Sequence, residues 1–408
     1  MPSDDERSTT RERARCALIL SGGGARGAYE VGVLSHVFDH HARSGKPPPR
    51  VDLYFGTSVG AINACYLASH LDDPTLGVRR LVELWTDVKM DEVLGFGLGQ
   101  LTSLPRLLTG GGRQAVGLFD VGPMARLVER EVGWRAIVRG FRERKLLGLS
   151  VSATDVQSGK TVLFVQTARG VAPPTPPPPR TIVRHARIGP IHALASAAIP
   201  ILFPQVRIGH HLYMDGGVRQ NTPIAPALRM GATHVFVIGL TPQLGDAPVD
   251  GAPKPPGVAT VVGKVLNAIL LDHVTSDFEV LDRVNKMIDH GTRAFGPGFL
   301  DALNDAARAS EHLPYRRVHT EVLRPSVDIG SLAAQYLRAP PPGARPALRR
   351  LLHLLDVGAA SDADLASYLL FDGGFAKQLI ELGRSDAEAR RHEIEGFFED
   401  VAERGRAD

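Results

Sequence analysis

The pentapeptide Gly56-Thr57-Ser58-Val59-Gly60 constrains this chain more than any other stretch. It stands between the apolar run Val51-Asp52-Leu53-Tyr54-Phe55 and the small-residue segment Ala61-Ile62-Asn63-Ala64, so a strand must end and a helix begin within it. Glycines two residues to either side of the serine let the backbone turn sharply and hold the hydroxyl in a strained, exposed position that bulkier neighbours would block. The pattern is that of a nucleophile elbow, and it calls for an α/β architecture in which strands feed helices at one end of a sheet.

A second feature lies upstream. The short strand Cys16-Ala17-Leu18-Ile19-Leu20 runs into Ser21-Gly22-Gly23-Gly24-Ala25-Arg26-Gly27 and then an amphipathic stretch from Ala28 to His40. Consecutive glycines carry no Cβ, so their N–H groups can converge on one point, and the following helix directs the positive end of its dipole there. Such a cradle suits either a phosphate or the oxyanion of an acyl-transfer intermediate, and Gly22-x-Gly24-x-x-Gly27 also matches the dinucleotide fingerprint. A dinucleotide site wants an acidic residue at the C-terminal end of the next strand. Here Asp52 sits at its beginning and Ser58 at its end, which favours acyl transfer. Arg26 within the loop reads as a cation that holds the loop or attracts a phosphate head group.

The third feature is Asp215-Gly216-Gly217, which follows the strand-like His211-Leu212-Tyr213-Met214 and precedes the helix-start signal Asn221-Thr222-Pro223. A carboxylate at a strand end beside two glycines can approach another backbone closely, which suits a base for a serine hydroxyl, although Asp-Gly is equally a turn signal. Asp372-Gly373-Gly374 has the same letters but sits between two helix-like segments, so Asp372 reads as a helix cap.

These motifs, in this order, with Ala195-Ser196-Ala197-Ala198-Ile199-Pro200 before the aspartate and Gly231 to Ile238 after it, resemble the patatin-like phospholipase family. The resemblance covers roughly residues 16–240, and Tyr368 to Gly383 is similar to the helical tail of bacterial members. It implies a lipid acyl hydrolase of the phospholipase A or lysophospholipase type. Ser58 would be the nucleophile, Asp215 the general base, and Gly22, Gly23, Gly24, Ala25, Arg26 and Gly27 the oxyanion hole. An aspartate near its ordinary pKa of about 3.9 is a weak base for a hydroxyl, and burial in a lipid-lined site would raise it. Two alternatives stay open: a nucleotide-binding regulator using the glycine loop, and a catalytically silent lipid-binding scaffold.

The 15 histidines invite a triad instead of a dyad. His192, His210 and His211 lie near Asp215, and His234 or His273 would satisfy the hydrolase order, but none has a motif around it. Neither H-E-x-x-H nor paired cysteines occur, so no metal or cofactor is expected. Cys16 and Cys65 fall in a predicted strand and helix and read as core thiols of a reducing compartment.

Lys+Arg number 47 against 44 Asp+Glu, and no arginine-rich helix with interleaved aromatics appears, which argues against a nucleic-acid partner. Residues 1–15 alternate acids and bases without an apolar core and read as a disordered lead rather than a secretory signal. The expectation is a cytoplasmic protein whose lipid contact is transient and peripheral to the inner membrane face. Alternating strand and helix patterns from Cys16 to Leu240 predict a three-layer α/β sandwich with a largely parallel central sheet over residues 16–240. Residues 241–338 read as a helical continuation, with a long helix over Val261–Ile288, and 339–408 as a C-terminal helical segment. Leu94 to Leu108, apolar yet glycine-rich, reads either as a mobile cap over an acyl channel or as plain surface packing.

Overall fold

Strands β1 (Cys16–Leu20) and β2 (Leu53–Thr57) are buried at every position, as a parallel strand covered on both faces must be. The computed structural model describes residues 14–95, 117–242, 263–265, 267–268, 274–309, 314–338 and 363–405. Within them lie β3 (Gly148–Asp155), β4 (Thr161–Thr167), β5 (Thr181–His185), β6 (Val206–Ile208), β7 (His211–Asp215), β8 (His234–Ile238) and β9 (His319–Leu323). They form one sheet in the order β5-β4-β3-β2-β1-β8-β9, with β6 and β7 branching from β3. β2–β3, β1–β2, β1–β8, β8–β9 and β4–β5 pair parallel, whereas β3–β4, β3–β7 and β6–β7 pair antiparallel. The sheet is therefore mixed and mostly parallel, with helices on both faces.

Alternation along the strands divides those faces. Gly56 turns toward helix α2 (Val59–Ala68), where a Cβ would come within 2.4 Å of the Gly60 carbonyl. Leu53 turns the other way, onto Met230 at the end of the helix Ile224–Arg229. Helix α1 (Ala28–Arg43) is buried on every side from Ala28 to Phe38, an interior helix rather than the amphipathic one expected from sequence. Helix α3 (Pro74–Asp87) contributes Trp85.

The C-terminal helices are built into this body. Gly32 of α1 and Gly383 of the helix Gly373–Ala389 let the two backbones touch: a Cβ on Gly32 would sit 2.2 Å from the Ile380 carbonyl, and one on Gly383 would sit 2.4 Å from the Tyr29 carbonyl. Phe397 and Phe398, from the helix Arg391–Gly405, pack on Phe236 of β8.

Two further expectations change. The segment read as a helical continuation supplies β9, whose burial alternates, so the sheet extends past residue 240. Its polar His319-Thr320-Glu321 start hid the strand. The helix read over Val261–Ile288 ends further on: the described residues 263–265 and 267–268 are helical, and so is Val274–Phe295. Pro173–Pro179 runs as an irregular connection between β4 and β5. Residues 1–13, 243–262 and 339–362 lie outside the described residues.

Helix propensity and packing make opposite forecasts at two glycines, so the pair tests the interlock. Gly396→Ala, at an open helical position with nothing within 4 Å, should stabilise by about 0.5–1 kcal/mol. Gly32→Ala should destabilise by about 1–3 kcal/mol, because its Cβ meets the Ile380 backbone. Thermal denaturation showing both substitutions stabilising would refute the close crossing.

Candidate active site

The register of β3 brings the site together. Ser152 of β3 pairs with Thr57, the last residue of β2, and the next residue, Ala153, pairs with Asp215, the last residue of β7. β2 and β7 thus meet end to end along one edge of β3, and Ser58 and Asp215 leave their strands side by side. Gly216 can pass there only because it lacks a side chain, since a Cβ would lie 2.4 Å from the Ser152 carbonyl.

Ser58 adopts φ 55° and ψ −126°, a left-handed conformation that is costly for a residue with a Cβ. Its surroundings hold it there. The Ser58 N–H donates to Ser196 Oγ at 2.8 Å, and that hydroxyl in turn donates to the Ser152 carbonyl. The flanking glycines are sterically required, because a Cβ on Gly60 would lie 2.4 Å from the Leu20 carbonyl. Ser58 is 3% exposed, so its hydroxyl faces a cavity rather than open solvent, a refinement of the exposed position expected for an elbow.

Asp215 is fully buried. Its Oδ1 accepts the Gly217 N–H at 2.7 Å, and its Oδ2 accepts no hydrogen bond of ordinary geometry among the described residues. Burial pushes the carboxyl up to about 7, opposed by the nearby Ser58 hydroxyl and the Gly217 N–H. The raised value follows from an apolar enclosure that supplies too few donors for a full negative charge.

The glycine loop lies against the same point. Gly22 abuts Ser58, where a Cβ would be 2.9 Å from Ser58 Cβ, and Gly24 lines the cavity with Ser58. The loop closes through a short 3₁₀ turn, Gly24–Gly27, that leads into α1. Not all of its N–H groups are free. That of Gly22 donates to Asn221 Oδ1 at 2.7 Å and that of Arg26 to the Gly23 carbonyl at 3.2 Å. These two donors drop from the set of oxyanion-hole residues expected from sequence.

Of the two roles read for Arg26, the structure shows the holding of the loop. Its side chain is 1% exposed, 3.0 Å from Asp364 Oδ1, donates to Ser367 Oγ at 2.8 Å, and lies 4.3 Å over the Tyr368 ring. A guanidinium so engaged holds the loop and does not reach for a head group. Burial acts to raise the Asp364 carboxyl, but Lys264 and Arg26 outweigh it and leave it below its ordinary value.

The cavity encloses about 730 Å³. Ile62, Leu81, Met124, Val128, Phe203 and Phe371 are among its apolar walls, while Lys89, Glu92, Arg130 and Lys377 stand among its polar lining. Asn63 donates to Glu30 Oε2 at 2.9 Å and accepts from Trp85 at 3.1 Å, fixing one wall. Glu30 is buried and held well above the usual carboxylate range by that burial. Asp372 caps the helix Gly373–Ala389 by accepting from Gly374 and Phe375, as read from sequence.

The histidine candidates stand elsewhere. His211 binds Asp155, His210 is exposed, and His192 packs edge-on to Phe164. His234 starts β8, at the end of the sheet away from Ser58, with Nε2 2.9 Å from Asp400. His234, His319 and Asp400 form a cluster of metal-ligand type, in which His234 Nε2 and His319 Nδ1 lie 2.9 and 3.3 Å from the same Asp400 oxygen. His273 lies outside the described residues, as does the cap segment Leu94–Leu108 beyond Gly95. Cys16 and Cys65 are buried, and burial pushes the Cys65 thiol up to about 12. No helix among the described residues is long and apolar enough to cross a membrane.

Sequence reading missed Asn221, Asp364 and the supporting role of Ser196. Asn221 was read only as part of a helix start. The Asp364–Arg26 pair spans 338 residues and leaves no local signal.

Known proteins resemble this chain chiefly over its N-terminal half. The family model described as Patatin-like phospholipase matches residues 18–228. A cGAMP-activated phospholipase of Pseudomonas aeruginosa (strain BWHPSA011 / Pa011) is 30% identical over 211 residues, 50% of this chain and 53% of that one. Probable lipid hydrolase 463L of Invertebrate iridescent virus 6 is 27% identical over 217 residues, 52% of this chain and 63% of the other. The match thus spans between half and two thirds of each relative's length. Among solved structures, human GIVD cytosolic phospholipase A2 in complex with methyl γ-linolenyl fluorophosphonate aligns over 97% of this chain and 60% of its own, at 13% identity and a TM-score of 0.41.

The Asp215 environment predicts a pH-dependent stability difference. A carboxyl whose folded pKa is raised stabilises fully below its unfolded value and loses that contribution as pH rises through the folded one. The window is therefore from about 4 to about 7. Asp215→Asn keeps the acceptor for Gly217 and removes the ionisation, so its melting temperature should gain on that of the native chain as pH rises from 5 to 8. A gap that stays constant or narrows would contradict the buried, poorly solvated carboxyl.

Proposed function

The chain belongs to the patatin-like phospholipase family, and from that premise we propose that it is a lipid acyl hydrolase cleaving carboxylic esters through Ser58 and Asp215. One observation carries the reading: a strained serine and Gly24 of the glycine loop line one cavity, and a buried carboxyl pushed up to about 7 stands beside that serine. The names of the two relatives, a phospholipase and a probable lipid hydrolase, support a lipid substrate.

In this reading Asp215 takes the proton from Ser58 Oγ as that oxygen attacks the ester carbonyl. A carboxylate with a pKa near 7 is a stronger base than an ordinary aspartate, and about half of it is ionised at neutral pH. The N–H groups of Gly23 and Gly24, with that of Val59, face the developing oxyanion. Asp215 then returns its proton to the leaving alkoxide; in the second step water, deprotonated by the same carboxylate, attacks the acyl-enzyme and releases the acid as the proton passes to Ser58 Oγ. The cavity has the volume of a small-molecule pocket, with apolar walls for an acyl chain and polar lining groups of both signs for the head of an amphiphile.

The nucleotide-binding alternative loses its main support. The loop's cation is committed to Asp364 and the Gly22 N–H to Asn221, so two of the groups that would grip a phosphate are already satisfied.

Purified protein tested on acyl esters of graded chain length, with and without phosphate head groups, should show turnover that Ser58→Ala abolishes together with fluorophosphonate labelling. Labelling that persists on Ser21 or Ser196 would contradict the nucleophile. Asp215→Asn should lower kcat by roughly 100-fold or more, and Asp372→Asn, at a helix cap, should cost far less. A loss at Asp372 equal to or greater than that at Asp215 would show that the wrong Asp-Gly-Gly carries the chemistry.

A further inference from the structure

The oxyanion loop is held from outside the region that matches the family. Arg26 and Gly24 sit in the loop, and both meet the short helix Asp364–Leu369, well over 100 residues beyond the matched segment. The contact has two parts. Arg26 forms its buried ion pair with Asp364, its hydrogen bond to Ser367 and its stacking over Tyr368. Gly24, at φ 57°, lies so close to the Tyr368 carbonyl that a Cβ would approach it to 2.3 Å.

The helix is itself anchored on its other side. Ser367 Oγ donates to the Asp364 carbonyl, Lys264 lies 2.8 Å from Asp364 Oδ2, and the Tyr368 hydroxyl donates to Asn267 at 2.8 Å. On the glycine side the loop is held at Gly22, whose N–H and carbonyl both bond the Asn221 side chain. It carries no side chain at Gly22, Gly23 or Gly24, and glycine has the largest backbone freedom to lose. A cradle of N–H groups contributes to catalysis only if it is already in place when charge develops on the oxygen.

We propose that Asp364, Ser367 and Tyr368 are positioning residues that clamp the Gly22–Gly27 loop through Arg26 and Gly24, so that the C-terminal segment completes the active site. The proposal rests on the hydrolase reading for its catalytic consequence and on the loop geometry alone for the clamp. Asp364 and Ser367 touch Arg26 and not the cavity. Their loss should lower the rate of the chemical step while leaving substrate affinity, set by the apolar walls, nearly unchanged.

The test uses the full chain with Asp364→Asn and the milder Ser367→Ala, each measured by amide hydrogen exchange over residues 22–30 and by ester kinetics. Both variants should raise exchange in that stretch while distant segments such as β4 keep their protection. kcat should fall roughly tenfold or more for Asp364→Asn, with KM within about threefold, and less for Ser367→Ala. If Asp364→Asn does not fold, Ser367→Ala alone decides. Unchanged exchange over residues 22–30 overturns the clamp whatever the turnover. Increased exchange with native kcat overturns its catalytic role. A native chain that protects the loop yet hydrolyses no ester contradicts the hydrolase reading and leaves the clamp standing.

Discussion

The whole site depends on one strand being longer than its neighbour. β3 runs from Gly148 to Asp155, but its parallel partner β2 stops opposite Ser152, and the vacated edge is taken by β7 arriving antiparallel. Backbone hydrogen bonding fixes that register to the residue, so the chain ends that carry Ser58 and Asp215 cannot drift apart without unpairing the sheet. Most other features of the centre serve this juxtaposition. Gly216 is bare because it passes the Ser152 carbonyl, and Ser196 bridges the same carbonyl to the Ser58 N–H.

The arrangement is held against opposing local preferences. Ser58 sits at positive φ, Asp215 is a carboxyl without enough donors, and Glu30 is a second buried acid within the same layer. Each destabilises the fold locally, and each is over-determined by close packing: Gly60 on Leu20, Gly32 on Ile380, Gly24 on Tyr368. Backbone-to-backbone approaches of this kind tolerate almost no displacement. They also explain why the C-terminal helices are bound to the catalytic sheet rather than appended to it.

Much of the centre was legible in the sequence because its signals are local. A serine between two glycines at a strand–helix junction has few structural solutions, and Asp-Gly-Gly after a strand reads the same way once a partner motif exists. The separation of Asp215 from Asp372 was legible too, since helical periodicity on both sides of Asp372 marks a cap. What could not be read was long-range. Arg26 read as a cation that either holds the loop or faces a ligand, because nothing near it in sequence announces Asp364. Likewise Asn221 gave no sign that it would consume the Gly22 N–H, and the polar start of β9 concealed a strand that only pairing with β8 makes favourable.

The central claim is that a buried aspartate with a raised pKa drives the serine, without a histidine. The most direct measurement is the rate of fluorophosphonate inactivation of the free protein against pH, with site mapping of the adduct. The account predicts modification at Ser58 whose rate rises through a single ionisation near 7, and loss of that rate in Asp215→Asn. A rate that keeps a native ionisation near 7 after Asp215→Asn, or that disappears on replacing a histidine, would contradict it.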